Sequence, residues 1–144
     1  MPAARLTPEL TADLVGAACA AADSIGVPMC FSVVDEAGQL THAWRMTGAR
    51  WVTVDLSLGK AKLAAAFGRP TAELAAAWAQ APLFASAVVA QGSGPFVPAP
   101  GGLPTLVEGL VVGAIGASGG TGQQDHDVLV SALNGVGLGA ALPV

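Results

Sequence analysis

The apolar residues Leu10, Leu14, Ala17, Ala18, Ala21 and Ala22 recur at helical spacing until Gly26. Thr7 or Thr11 can open that helix, Pro8 suits its first turn, and its end is expected near Ile25. Pro28 to Val34 then reads as a strand, Asp35 to Gly38 as a turn, and Leu40 to Met46 as a second strand, which together make a β-hairpin. Period-two alternation along the second strand puts His42 on one side with Leu40, Trp44 and Met46.

Val52 to Phe67 combines alanine and leucine with Lys60 and Lys62 and stops at Gly68 ahead of Pro70, as a helix should. Thr71 can cap a third helix holding Glu73, Leu74 and Trp78, and Leu83 to Ala90 reads as a further short helical piece. Gly92 to Pro104 holds four prolines and four glycines, which predicts a loop. Pro104 to Val107 and Leu110 to Ser118, separated by Glu108 and Gly109, form a second hairpin of apolar, β-branched character. Thr121 and Gln124 fit a capping box, and Val128, Leu129, Ala132, Leu133 and Val136 carry the apolar face of a terminal helix. Hairpins make antiparallel pairs, so two of them with helices before, between and after imply an α/β (α+β) fold with helices covering an antiparallel sheet. Residues 1–144 read as a single domain with no internal repeat or linker.

Composition adds an expectation that periodicity does not carry. Of 144 residues, 53% are hydrophobic and 11% are charged, against about 25% charged in a typical soluble domain. So few charges cover a monomer poorly, and burial of apolar patches against identical copies predicts a homo-oligomer. The net charge of −4 with six basic residues leaves no continuous positive face, which argues against nucleic acid. Leu74 to Val107 lacks charge, but Gln80, Pro82, Gln91 and the prolines and glycines after Pro95 interrupt it before a membrane span accumulates. Met1 to Ala12 carries Arg5 and Glu9 and no apolar core of a secretory signal, so a cytoplasmic location is expected. Cys19 and Cys30 are then reduced thiols, read as small buried hydrophobes.

Candidate chemistry is dispersed. Gly116 to Gly122 precedes a capped helix, so the backbone of Ser118, Gly119, Gly120 and Thr121 can bind a carboxylate or phosphate, or can simply make a tight strand-to-helix turn. It lacks a Walker lysine and the G-x-G-x-x-G spacing. Asp125 near the helix start suits the macrodipole without any catalytic duty, and its neighbour His126 faces elsewhere. His42 can act as an axial ligand or proton carrier, or as an interfacial histidine, and Met46, Met29 and Cys30 are further conceivable iron ligands. One of Lys60 and Lys62 can hold an acidic ligand, the competing reading being a solvated helix face. Asp35 organises its turn, Arg45 can pair across the sheet, and Trp44, Trp51 and Trp78 serve packing or stack on a planar ligand. No zinc-ligand spacing, nucleophile elbow or cysteine-histidine pair is present, so no metal site is assigned.

Three blocks carry a family resemblance. Phe31 to Met46, FSVVDEAGQLTHAWRM, resembles the apolar strand, Asp turn and Arg-Met ending of the GlcG/HbpS family. Val54 to Thr71, VDLSLGKAKLAAAFGRPT, resembles its helix with a Lys-Ala pair and Phe-Gly-Arg-Pro exit, a match that implies Lys60 as the lysine to hold a ligand. Pro100 to Val128, PGGLPTLVEGLVVGAIGASGGTGQQDHDV, resembles its Pro-Gly-Gly entry, second hairpin and Ser-Gly-Gly stretch. In family order these blocks cover the chain from about Thr7 to Gly139. The resemblance implies a profilin-like α/β/α sandwich around an antiparallel sheet and commonly an oligomer. Members include haem-binding proteins and the C-terminal domain of PduO, a cobalamin adenosyltransferase, so haem is a candidate cofactor. Helix one has no histidine, where one haem-binding branch looks to place its ligand, and that ligand does not carry over.

The first functional expectation is a protein that binds a small or planar organic ligand, haem among them, through Trp44, Lys60 and the Ser118 to Thr121 turn. The alternative is a cofactor-independent isomerase, lyase or cyclase with His42, Lys60 and Asp125 in acid-base roles. An accessory scaffold for another enzyme is the third.

Overall fold

A computed structural model describes residues 5–91 and 94–139. The first four residues, the Gly92 start of the Pro/Gly loop and the last five residues lie outside the described residues. Thr7, not Thr11, caps α1 (Pro8–Ser24): its hydroxyl accepts the Leu10 N–H at 3.1 Å, and Thr11 is buried. The first hairpin is β1 (Cys30–Asp35) and β2 (Leu40–Arg45). Its turn is fastened as expected by Asp35, whose Oδ1 accepts the N–H groups of Ala37 and Gln39 at 2.9 and 3.0 Å.

Helices α2 (Thr53–Phe67), α3 (Thr71–Trp78) and α4 (Pro82–Gln91) follow, then β3 (Gly102–Val107), β4 (Leu110–Ser118) and α5 (Gly122–Gly135). Strand β3 starts two residues before the expected Pro104, because Gly102 already pairs with Gly116. Thr71 does not cap α3. Its hydroxyl instead accepts the Gly102 N–H at 2.8 Å, tying the helix start to β3.

The four strands form an antiparallel sheet in the order β2-β1-β4-β3. Its two faces separate by alternation. Phe31, Val33, Ile115 and Ala117 join Leu14, Ala18, Leu129 and Leu133 in the core beneath α1 and α5. Val34 and Ala114 face α2 through Ala61 and Ala64. The result is a three-layer α/β/α sandwich, in agreement with the fold class read from the hairpins.

Small residues set the second interface. Ser57 and Ala61 on α2 lie so near the sheet that a Cβ on Gly116 would strike the Ser57 carbonyl oxygen and approach the Ala61 nitrogen to 2.8 Å. Gly102 meets the same helix, with the Lys60 carbonyl carbon 2.8 Å from its would-be Cβ. Between these contacts Ser32 and Ser57 share a buried hydroxyl hydrogen bond of 2.7 Å.

One expectation along β2 fails. The register slips between Val33 and Val34, leaving Thr41 as an extra residue, so Leu40 pairs with Val34 of the α2 face while His42 pairs with Val33 of the other. Leu40 thus leaves the side shared by His42 and Trp44. Cys30 is buried as expected, but Cys19 is half-buried, and Arg45 donates to the Ala49 carbonyl at 2.8 Å in place of a cross-sheet ion pair.

Gly116→Ala should destabilise the protein by about 1–3 kcal/mol, since the added methyl meets backbone that cannot rotate away. Urea denaturation of the variant measures this, and an unchanged midpoint would mean that α2 can lift from the sheet at little cost.

Candidate functional site

Two of the residues singled out for acid-base chemistry meet inside the protein. The close approach of α2 delivers the Lys60 ammonium to the end of β4, where it donates to the Ala117 carbonyl at 2.9 Å and to Asp125 Oδ2 at 3.0 Å. The side chains are 6% and 2% exposed, so this is a buried ion pair and not a solvated helix face. The other carboxylate oxygen, Oδ1, accepts the Gly120 N–H at 2.9 Å. Burial pushes the Asp125 carboxyl up, against the lowering pull of the Lys60 charge and the Gly120 N–H.

Gly101 closes this pair from the loop side. Its φ of 115° lies where side chains are strained, and a Cβ there would come within 2.8 Å of Asp125 Cβ and 3.1 Å of Lys60 Nζ. The Gly101 carbonyl in turn accepts the Ala117 N–H at 2.8 Å. The pair therefore fastens α2, the Pro100–Gly102 segment, the end of β4 and the start of α5. Lys60 and Asp125 direct their polar atoms at one another and at backbone.

The Ser118 to Thr121 turn is similarly occupied. Besides the Gly120 N–H held by Asp125, the Thr121 N–H donates to Gln124 Oε1 at 2.9 Å, and the Gln124 N–H donates to Thr121 Oγ1 at 3.1 Å. That reciprocal arrangement is the expected capping box. Two N–H groups read as a cradle for an external anion are thus taken by side chains of α5.

His42 stands apart from the ion pair. It is half-buried and lines a cleft of about 230 Å³ with Leu6, Pro8, Thr11 and Thr41. Trp44 is 56% exposed and pairs with Phe31, so it shares the α1 side of β2 with His42. Of the sulfur candidates, Met29 and Cys30 are enclosed and Met46 is half-buried. Met29 is fully buried and its N–H donates to Met46 Sδ at 3.5 Å, while Cys30 Sγ accepts from Ser57 Oγ at 3.5 Å and burial pushes its thiol up.

Trp78 is buried with edge-on contacts to Phe67 and Phe84 at centroid distances of 5.1 and 5.5 Å, whereas Trp51 is 77% exposed. His126 is half-buried, and its Nδ1 is enclosed without a hydrogen-bond partner among the described residues. The role of Gly101 escaped the sequence reading, although the Pro-Gly-Gly run marked its place. No group of three or more His, Cys, Asp or Glu that could hold a metal is present among the described residues.

Together the layers and the ion pair define an α/β/α sandwich domain locked at one end of its sheet and open along β2. The family described as "Haem degrading protein HbpS-like" matches residues 6–134, and the chain belongs to it. It is 38% identical over 111 residues to an uncharacterized 15.0 kDa protein in the dhaT-dhaS intergenic region of Citrobacter freundii, covering 76% of this chain and 77% of that protein. It is 34% identical over 132 residues to the corrinoid adenosyltransferase PduO of the same organism, covering 92% of this chain but only 39% of PduO. Among solved structures, the PduOC:heme complex superposes with a TM-score of 0.82 at 31% identity, covering 91% of this chain and 94% of that one. The family expected from the three sequence blocks is the one found.

Breaking the buried pair should be costly. Lys60→Met leaves the Asp125 carboxylate without its cation, a change worth about 3–5 kcal/mol for pairs of this kind. The carboxyl pKa in the folded variant then lies further above its unfolded value. Stability carried by such a group is present below the unfolded pKa and lost as pH rises through the folded one. The urea midpoint of Lys60→Met should therefore be lower near pH 8 than near pH 5 relative to the parent, and Lys60→Met/Asp125→Leu should remove that dependence and recover stability. A single variant as stable as the parent at both pH values would contradict the fastening role.

Proposed function

We propose that this chain binds a small planar organic ligand, with haem the first candidate, on the face of β2 that carries His42 and Trp44. The observation that carries this reading is the likeness, across nearly the whole chain, to a relative whose structure is a haem complex. Membership of the HbpS-like family supports it.

The residues fit such a group in part. A neutral imidazole is a common axial ligand of haem iron, and His42 is accessible from the cleft. Trp44 offers an aromatic surface beside it. The cleft of about 230 Å³ is smaller than the roughly 300–1,000 Å³ of sites that enclose their ligand, so a macrocycle would lie over β2 and not inside the chain. Bound haem would supply an iron centre and an absorption band; the chain's own part is to hold it through His42 and to cover one edge with Trp44. Lys60, Asp125 and the Ser118 to Thr121 turn hold the fold in this reading and do not touch the ligand.

Titration of the purified protein with haem, followed at the Soret band, should give saturable one-to-one binding that weakens at least about tenfold in His42→Ala, equivalent to about 1.4 kcal/mol. Trp44→Ala should weaken binding while leaving the band position unchanged. The absence of specific binding by the parent would overturn the proposal and move weight to a small-molecule enzyme.

A homo-oligomer in the cytoplasm belongs to the same proposal. Helix α4 buries none of its residues although it is largely apolar, and Leu83 and Trp51 are 87% and 77% exposed. No helix among the described residues is long and apolar enough to cross a membrane. The parent should sediment as a multimer and Leu83→Glu/Trp51→Glu as a smaller species; a monomeric parent at micromolar concentration would count against association.

A further inference from the structure

On the α2 side of the sheet, away from His42 and Trp44, the β1–β2 turn, α2 and the loop before β3 border a small, half-open cavity of about 130 Å³. Glu36, Ala37 and Gly38 line it from the turn, Lys62 and Ala66 from α2, and Phe96 from the loop. The Lys62 ammonium donates to the Gly38 carbonyl at 2.8 Å. The Gly94 backbone passes close to its stem, such that a Cβ there would lie 3.3 Å from Lys62 Cε. Lys62 is half-buried and makes no ion pair among the described residues.

Asp35, in the turn, makes no ion pair with Lys62 among the described residues. Asp35 Oδ1 is committed to the N–H groups of Ala37 and Gln39. An ammonium has three donors, and the Gly38 carbonyl uses one. The opposite wall is apolar, with Phe96 itself packed against the buried cluster of Leu63, Leu74 and Trp78. Glu36 stands at the rim as an exposed carboxylate, which disfavours a second negative charge.

From this geometry we infer that the cavity is a binding site for a short-chain monocarboxylate, whose carboxylate meets Lys62 Nζ and whose alkyl group lies on Ala66 and Phe96. Its volume equals about four water molecules of liquid, enough for a few carbon atoms. The rim charge of Glu36 favours a monoanion over a dicarboxylate or phosphate. A charge-assisted hydrogen bond contributes more than a neutral one, so the acid should bind more tightly than its amide.

The test is titration of the ¹⁵N-labelled full chain with butyrate, with butyramide and succinate as comparison probes, read by amide chemical shifts. Butyrate should shift Gly38, Lys62 and Phe96 saturably with a dissociation constant in the millimolar range, as expected for so few ligand atoms. Butyramide and succinate should each bind at least about tenfold more weakly. Lys62→Met should abolish the shifts, and Ala66→Leu, which fills the cavity and keeps the charge, should do the same. Equal affinity for butyrate and butyramide, butyrate binding that survives both substitutions, or no saturable shift in the parent would each overturn the assignment. Haem binding through His42 is read on different residues, so either result stands without the other.

Discussion

Helix α2 rests against the sheet at backbone contact distance, and the other features of the molecule follow from that approach. Gly102 and Gly116 leave the room, while Ser57, Ala61 and Ala64 present surfaces small enough to fill it. Interiors tolerate few voids, so a helix this close is held in one register. With the register fixed, Lys60 arrives at the end of β4 and can meet Asp125 from α5.

That meeting explains why two charged residues can sit in the interior of a chain with so few charges. An isolated buried charge is expensive, and the pair is tolerated because the Ala117 carbonyl takes a further ammonium donor and the Gly120 N–H serves the second carboxylate oxygen. The same contacts place the Pro100–Gly102 segment and the Ser118 to Thr121 turn. What looked in sequence like the richest chemical region turns its polar groups on one another and on backbone.

The open chemistry lies elsewhere, on β2. An edge strand has one side of its ladder unpaired and one face only partly covered, so its side chains remain reachable. The bulge at Thr41 matters here, because it moves Leu40 to the other face and leaves His42 and Trp44 as the accessible pair. Lys62, two residues beyond Lys60 on α2, reaches the β1–β2 turn in place of the interior. Neighbouring lysines of one Lys-Ala-Lys segment thus have opposite fates, decided by which side of the helix meets the sheet.

The chain's periodicity determined the elements. Helical spacing, the Thr121 capping box, the Asp35 turn and two apolar hairpins are local signals, and local signals specify local structure. They also carried the antiparallel sheet and the family, because both depend on the order of short segments along the chain. Pairwise meetings across the fold were not legible in the same way. Nothing within a few residues of Lys60 announces Asp125, 65 positions away, or assigns Thr71 to Gly102 in place of its own helix. Nor does alternation announce a one-residue bulge in β2. Those outcomes depend on how closely α2 and the sheet pack and on which buried polar atoms find partners there, and only the tertiary structure decided them.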